Sequence, residues 1–518
     1  MNTLATTYPA VCTRIALPNQ THGGRTMFYL HILSGSATDK PPVLVTAGVH
    51  AREWAPPDAV LSFVEKLLAA NLGGTPISYP AFVDTTSAPP ITYPAFSIPI
   101  AEVRRIVTRL NLFVVPLMNP DGREFTQAAT ANINWRKNRR PHASGGDCIG
   151  VDLNRNFNIA WDFNAYYSAA AAPSVSSSTN PCDFEVYVGP AVASEPETQN
   201  ALSLITGQRV TFLLDVHSQG RHILYPWGLE DNQSSDPTMN FLNTSWDRAG
   251  VHAGRDGQGG VYGEFIPNSA PVRLLDSHVL LGNRMAAAIL ATAGADATAR
   301  ARSTYLVQQS MSGLYPTSGA IDDFTFSNQL RGTPSPPIFA FTLECGHITE
   351  GGFWPDYVTQ YPKVEREVHA VLRAFLTYPA TWTPPTASSS SSRCFVATAA
   401  FGSSYYPQVE FLRDLRDRVF PATPFGVRFM RVIDRFYYSF SPALARHLNQ
   451  HEVARRLTRA LLSPFVAWLR IAERSARRIK KPEKQVAILA GVVMMTVLAA
   501  AAVAGGLLTF LFWLLANR

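Results

Sequence analysis

Cysteine is scarce here: five residues (Cys12, Cys148, Cys182, Cys345 and Cys394) in a chain of 518. That is too few to staple a disulfide-scaffolded fold, so a buried core must hold the chain together, and the length is ample for one. The first residues, MNTLATTYPAVCTRIALPN, lack a basic stretch leading into an apolar one, which predicts no secretory signal peptide. An evenly basic surface is missing too. The net charge is +7, but Lys and Arg crowd into residues 413–484, directly before an apolar segment. That placement argues against nucleic acid as partner and for membrane lipid. Internal repetition is weak: ISYPAF at residues 77–82 returns as ITYPAF at 91–96, and two copies are too few for a repeat architecture. Residues 73–98, rich in Pro, Thr and Ser, therefore read as a surface insertion.

What is present is a set of apolar runs that end in chemistry. Residues 43–45, Val-Leu-Val, read as a buried strand that turns through Gly48 and sets His50 and Glu53 three residues apart. Residues 110–118 are a second run and deliver Asn119-Pro-Asp-Gly as a turn. Residues 210–217 end on His217 and residues 337–344 on Glu344. Open α/β sheets bind ligands outside the carboxyl ends of their strands, where all three residues fall. Imidazole nitrogen and carboxylate oxygen both suit zinc, and a catalytic zinc wants three protein ligands and one open position. Between these runs lie NWRKNR (134–139) and GVDLNRNF (150–157). The remaining pattern predicts an entry strand over 27–33, helices over 58–68 and 287–299, and a loop over 311–326. Cys148 and Cys182 flank one loop and read either as a disulfide, implying an oxidising compartment, or as two free thiols.

The tail is of another kind. Residues 384–393 are a Pro/Ser-rich linker by composition. Residues 409–420, 424–438 and 452–471 alternate apolar and Arg-rich positions at helical spacing, within a basic helical region spanning 394–484. Residues 486–516 contain no charged side chain. About 20 such residues span a bilayer, so 485–518 is predicted to hold one transmembrane helix. Arg474, Arg477, Arg478, Lys480, Lys481 and Lys484 precede it and only Arg518 follows; the positive-inside rule then keeps the preceding domain in the cytoplasm.

Taken together, these motifs resemble the zinc carboxypeptidases of the A/B type, over roughly residues 8–378, with about six separated motifs in the same order. The resemblance implies an α/β fold, a twisted mixed β-sheet flanked by helices, over residues 1–383. It implies one Zn2+ on His50, Glu53 and His217. Glu344 matches the carboxylate that takes a proton from the attacking water and returns it to the leaving amine. Arg136 matches the arginine that polarises the scissile carbonyl. Asn154 and Arg155 match the pair that grips the terminal carboxylate of a peptide or protein substrate, a task suited to a guanidinium fork. Tyr315 matches the tyrosine that closes over that terminus, and Arg52 an arginine lining an outer subsite.

Counted from Tyr315, Asp322 falls where similar enzymes place the residue at the base of the specificity pocket, and the resemblance then implies that a carboxylate there suits Arg or Lys termini. A one-residue shift would put Asp323 or Ile321 there instead. Cys148 and Cys182 stand where some secreted members carry a disulfide. The chain departs from the family at Gln219, usually tyrosine in digestive members, and at Cys345-Gly-His after Glu344. The residues ahead of the catalytic motifs show no propeptide pattern, so zymogen control is not expected. CFVATAAFGS (394–403) resembles a Cys-Phe box found in the C-terminal regions of assorted bacterial proteins. Two other readings compete with the exopeptidase: a zinc amidohydrolase acting on acyl-amino acids, and an inactive peptide-binding module tethered to a membrane. Retention of Glu344 and all three ligands counts against the second.

Overall fold

The computed structural model describes residues 1–142, 146, 148–169, 171–229, 274–331 and 338–381, and beyond these 412, 415, 419–420, 423–430, 432–433, 452–476 and 483–492. The runs of Val, Leu and Phe become the middle of an eight-stranded mixed sheet. Its strands are β1 (Cys12–Gln20), β2 (Thr26–Ile32), β3 (Pro42–Ala47), β8 (Asn111–Val115), β9 (Phe212–Ser218), β10 (His222–Tyr225), β11 (Leu306–Gln309) and β12 (Phe339–Cys345), in the order β1-β2-β8-β3-β9-β12-β10-β11. The central four, β8, β3, β9 and β12, pair in parallel. They are buried along nearly their whole length, which is why they read as continuous apolar runs rather than alternating ones. Antiparallel pairs join β1 to β2, β2 to β8 and β12 to β10.

Helices α1 (Asn2–Thr7), α2 (Ala55–Gly73), α3 (Ile100–Arg109), α4 (Pro120–Ala128), α5 (Phe163–Tyr166), α6 (Pro196–Gly207), α7 (Leu274–Thr292), α8 (Ala297–Arg302), α9 (Ser310–Gly313), α10 (Ile321–Arg331) and α11 (Tyr361–Thr381) complete this part. α2 packs on α3 and α11 and against β9, and α10 packs against β12 and β9. The alanine-rich stretch forms two helices rather than one, broken at Gly294, whose φ of +69° favours glycine. Residues 311–326, expected to be a loop, contain α9 and the start of α10.

The insertion is more ordered than its composition suggested. β4 (Ile77–Tyr79) pairs with β7 (Phe96–Ile98) and β5 (Phe82–Asp84) with β6 (Ile91–Tyr93), so the two YPAF copies fold back on each other as nested antiparallel ladders. Tyr93 and Ile98 are buried, and Arg366 of α11 donates to the Pro80 and Pro94 carbonyls. Tyr79 donates to Nδ1 of the buried His369 at 2.8 Å, whose Nε2–H donates to the Ala59 carbonyl at 2.8 Å.

Contacts divide the chain into two units, Met1–Pro271 with Leu281–Pro385, and Val272–Leu280 with Thr386–Arg518. In the second unit α12 (Glu452–Ala476) is the longest described helix. Leu469 and Ala476 pack with Leu415, Phe420, Val486, Leu489 and Ala490. The first turns of the expected membrane segment, through residue 492, are thus partly covered by protein side chains, and residues 493–518 lie outside the described residues, as does the linker 384–393. No helix among the described residues is long and apolar enough to cross a membrane.

Candidate active site

Parallel strands present their carboxyl ends on one edge, and β3, β9 and β12 are hydrogen-bonded neighbours with Ala47 opposite Val216 and Glu344 opposite His217. The chain leaves β3 through Gly48, whose φ is +66° and whose missing side chain would meet Leu117 and Pro57 at 2.8 Å. Only glycine fits so tight a turn, and the turn brings His50 and Glu53 back towards β9. Asn119 holds the turn from below by donating to the Val49 and Lys137 carbonyls. The Ala51 amide donates to the Arg136 carbonyl at 2.9 Å, tying the turn to the basic loop.

His50, Glu53 and His217 meet in the interior. Each is 4% exposed or less. His50 Nδ1 lies 2.6 Å from Glu53 Oε1, His217 Nδ1 3.1 Å from His50 Nδ1, and His217 Nδ1 3.2 Å from Glu53 Oε2. The other ring nitrogens face buried carboxylates: His217 Nε2 is 2.6 Å from Asp215 Oδ2, and His50 Nε2 is 3.3 Å from Asp152 Oδ1. Asp215 is in turn held by the Thr46 hydroxyl at 2.6 Å. Carboxylates on the far nitrogens fix each ring's orientation and raise its basicity at the near one. Two near nitrogens only 3.1 Å apart cannot both carry protons without conflict, and a shared cation removes it. The donor set, two imidazoles and one carboxylate, fits a single zinc.

Electrostatics follow from burial. Burial opposes ionisation of Glu53, but His50 and His217 outweigh it and hold the carboxyl well below its usual range. Burial also opposes the charge on Asp152, which Arg136, Arg155 and His50 hold ionised. Glu344 has no such dedicated partner: burial pushes it up to about 7, with His217 and Arg136 drawing it back. A carboxyl poised near neutrality can both accept a proton and return it.

The remaining candidates gather at the same edge. Arg136 is buried and donates through Nε and Nη2 to Asp152 at 3.0 and 2.9 Å. Asn154 accepts from the Ile321 amide at 2.9 Å. Arg155 is 2% exposed, donates to the Ser176 and Asn154 carbonyls, and leaves Nη2 buried without a hydrogen-bond partner among the described residues. Gly319 approaches so closely that a Cβ there would lie 2.3 Å from the Arg155 carbonyl oxygen. Tyr315 stands 41% exposed on the following loop, within electrostatic range of Arg136.

Asp322 is buried, with the Thr342 and Ser310 hydroxyls at 3.2 and 3.4 Å, and burial raises its pKa. Asp323 is taken by the Gly228 and Leu229 amides, whereas Asp322 accepts from a single backbone amide, that of Asp323 at 2.9 Å, among the described residues. Arg52 is not free: it forms a two-pronged ion pair with Glu185 at 2.6 and 2.8 Å and lies over the Phe353 ring. Cys148 and Cys182 are joined as a disulfide. Reading the sequence missed Asp152 and Asp215. Asp215 was within reach, since a residue two before His217 on a strand shares its face.

The zinc carboxypeptidase family model matches residues 1–369. Carboxypeptidase O from Homo sapiens is 30% identical over 240 residues, covering 46% of this chain and 52% of that protein. Carboxypeptidase B from Astacus astacus is 30% identical over 238 residues, covering 46% of this chain and 64% of that protein. The matches thus span between about half and just under two thirds of the length of these relatives. The solved structure of thrombin activatable fibrinolysis inhibitor superposes with a TM-score of 0.51 at 16% identity, covering 74% of this chain and 72% of that one, a likeness of fold. With the family model matched over most of its length and a zinc-ligand triad at the edge of its sheet, the chain belongs to the zinc carboxypeptidase family.

Proposed function

We propose that this chain is a zinc-dependent exopeptidase that removes single residues from the C-termini of peptides or proteins, with its catalytic unit over residues 1–383. The observation that carries this is the convergence of His50, Glu53 and His217 beside Glu344, with the unpartnered Nη2 of Arg155 in the same region. Zinc, when held by the three ligands, supplies a Lewis acid that acidifies water and polarises the scissile carbonyl. Glu344 takes the water's proton as its oxygen bonds to the carbonyl carbon. The same carboxyl then hands the proton to the amine as the C–N bond breaks. Arg136, oriented by Asp152, donates to the developing oxyanion. Arg155 meets the terminal carboxylate, and a buried guanidinium donor left unpaired makes that match favourable. Tyr315 closes over the terminus.

Basic C-terminal residues suit the pocket best. Among the described residues no basic side chain pairs with Asp322, so a buried carboxylate waits for a cation. The test is hydrolysis by the full chain of blocked dipeptides ending in Arg, Lys, Phe, Leu or Glu, with and without chelator, and with Asp322→Ile. Chelator should abolish all activity, and Asp322→Ile should reverse a preference for Arg over Phe. Activity that survives complete zinc removal refutes the metal mechanism; a wild type that prefers Phe refutes the pocket assignment.

The tether belongs to the same proposal. Residues 493–516 are 24 consecutive uncharged residues, enough to span a bilayer even without the turns that pack in the second unit. The basic flank supports a cytoplasmic catalytic unit by the positive-inside rule, while a disulfide persists best in an oxidising compartment. Protease treatment of sealed spheroplasts separates the two: a protected catalytic unit means the cytoplasmic side, a digested one the other.

A further inference from the structure

In α12 the burial pattern runs opposite to the usual economy of a surface helix. Its buried side chains, Val466, Leu469, Glu473 and Ala476, recur at helical spacing along one face and pack inward. The exposed positions also recur at that spacing: Ala460, Pro464, Ala467, Trp468, Ile471 and Ser475. At 3.6 residues per turn they fall within a stripe about 100° wide on the opposite side. A solvated face should carry charge, yet not one of these six does. Trp468 is 48% exposed and Ile471 62%, one turn apart midway along the stripe, with Trp468 on its edge. A helix apolar on both faces has its second face covered by something.

Charge identifies the cover. Arg459 and Arg470, three turns apart, lie on one flank of the helix between the stripe and the buried face, and Arg474, Arg477, Arg478, Lys480, Lys481 and Lys484 follow directly in the chain. Over residues 452–484 ten basic residues face three acidic ones. An apolar strip with a tryptophan midway along its length and arginines on its flank suits the headgroup zone of an anionic bilayer, where indole sits at the interface and each basic residue near the surface adds about 1 kcal/mol. A second copy of this chain would bring the same positive charge against itself. We propose that α12 lies in the plane of an anionic lipid surface, with Trp468 and Ile471 immersed at the acyl–headgroup boundary. This rests on the membrane reading above and adds to it a docking face distinct from the spanning segment.

The experiment uses the full chain, wild type and Trp468→Phe, reconstituted into vesicles of phosphatidylcholine alone or with phosphatidylglycerol, each with and without lipid brominated near the headgroup. The emission difference between wild type and Trp468→Phe reports on this one tryptophan. In the anionic vesicles brominated lipid should remove about half or more of that difference, as expected for a side chain held at the acyl–headgroup boundary, with a clear loss of quenching in neutral vesicles. Carbonate extraction, run in parallel, reports on the spanning segment alone. A chain that resists extraction but shows no quenching of the Trp468 difference in either lipid overturns this proposal and leaves the span intact. A chain that extracts freely yet shows the anionic-specific quenching supports α12 docking and removes the span. Equal quenching in both lipids overturns the assignment to anionic headgroups.

Discussion

A single carboxylate, Asp152, bears on three candidate site residues, and removing its charge should disable two functions at once. It is fully buried and engages Arg136 twice, the Asn154 amide at 2.9 Å, and His50 Nε2 at 3.3 Å. Asp152→Asn keeps the shape but supplies one acceptor oxygen where there were two, and its amide hydrogens must face a neighbouring donor. Breaking a buried ion pair this way costs about 3–5 kcal/mol of stability. Loosening the ring of a ligating histidine costs about 10–100-fold in metal affinity, or about 1.4–2.7 kcal/mol. Zinc affinity is read by competition with a buffered chelator, and kcat at saturating zinc reads Arg136 separately. Asp152→Asn should lower both. Asp215→Asn, which touches His217 and Thr46 but not Arg136, should weaken zinc while keeping most of kcat once zinc saturates. If Asp152→Asn binds zinc within about threefold of wild type and unfolds at the same denaturant concentration, the account of Asp152 is wrong.

Glu344→Gln should retain zinc stoichiometry, measured by elemental analysis, and lose several orders of magnitude in turnover, because the amide cannot take up a proton; near-normal turnover would sink the general-base role. Amidating a peptide substrate's C-terminus should abolish cleavage, because Arg155 would then face a neutral group, and equal rates on acid and amide would end the exopeptidase reading. His369 makes stability pH-dependent. Burial holds its folded pKa down to about 4, against 6.5 unfolded, despite Glu365 at 4.0 Å. Between those values the unfolded chain binds more protons, so stability is intact above about 6.5 and falls as pH drops towards 4, by on the order of 3 kcal/mol. Urea unfolding at several pH values should show that slope in wild type and a flatter one in His369→Gln; parallel slopes would refute it.

The site was legible because its residues sit where apolar runs stop. His50, His217 and Glu344 each end a strand too hydrophobic to be anything but central, and parallel pairing brings such ends to one edge. Asp152 was hidden inside a motif already read for Asn154 and Arg155, and nothing in the order of residues reveals a carboxylate shared by Arg136 and His50. The helical character of α9 and α10 escaped because Ser, Thr and paired Asp residues favour turns by propensity, and packing of α10 against β12 and β9 and of α9 against β10 and β11 overrides it. The paired strands of residues 77–98 escaped for the same reason: Pro and Thr dominate the composition, while Tyr79 and Tyr93 find partners on α11 only in three dimensions. Nothing in the described residues bears on the apolar segment 493–516.

The contact between Gly319 and the Arg155 backbone, together with the Asn154–Ile321 hydrogen bond, has a consequence for engineering. The segment proposed to hold a substrate's terminus and the segment proposed to receive its side chain interlock, one buttressing the other at van der Waals distance. Exchanging residues 315–322 for those of a relative with another preference would therefore disturb the carboxylate clamp unless residues 152–156 travelled with them. On the proposed assignment the two segments must vary together, and a library that changes Asp322 alone, leaving Gly319 and Ile321 untouched, is the economical test of selectivity.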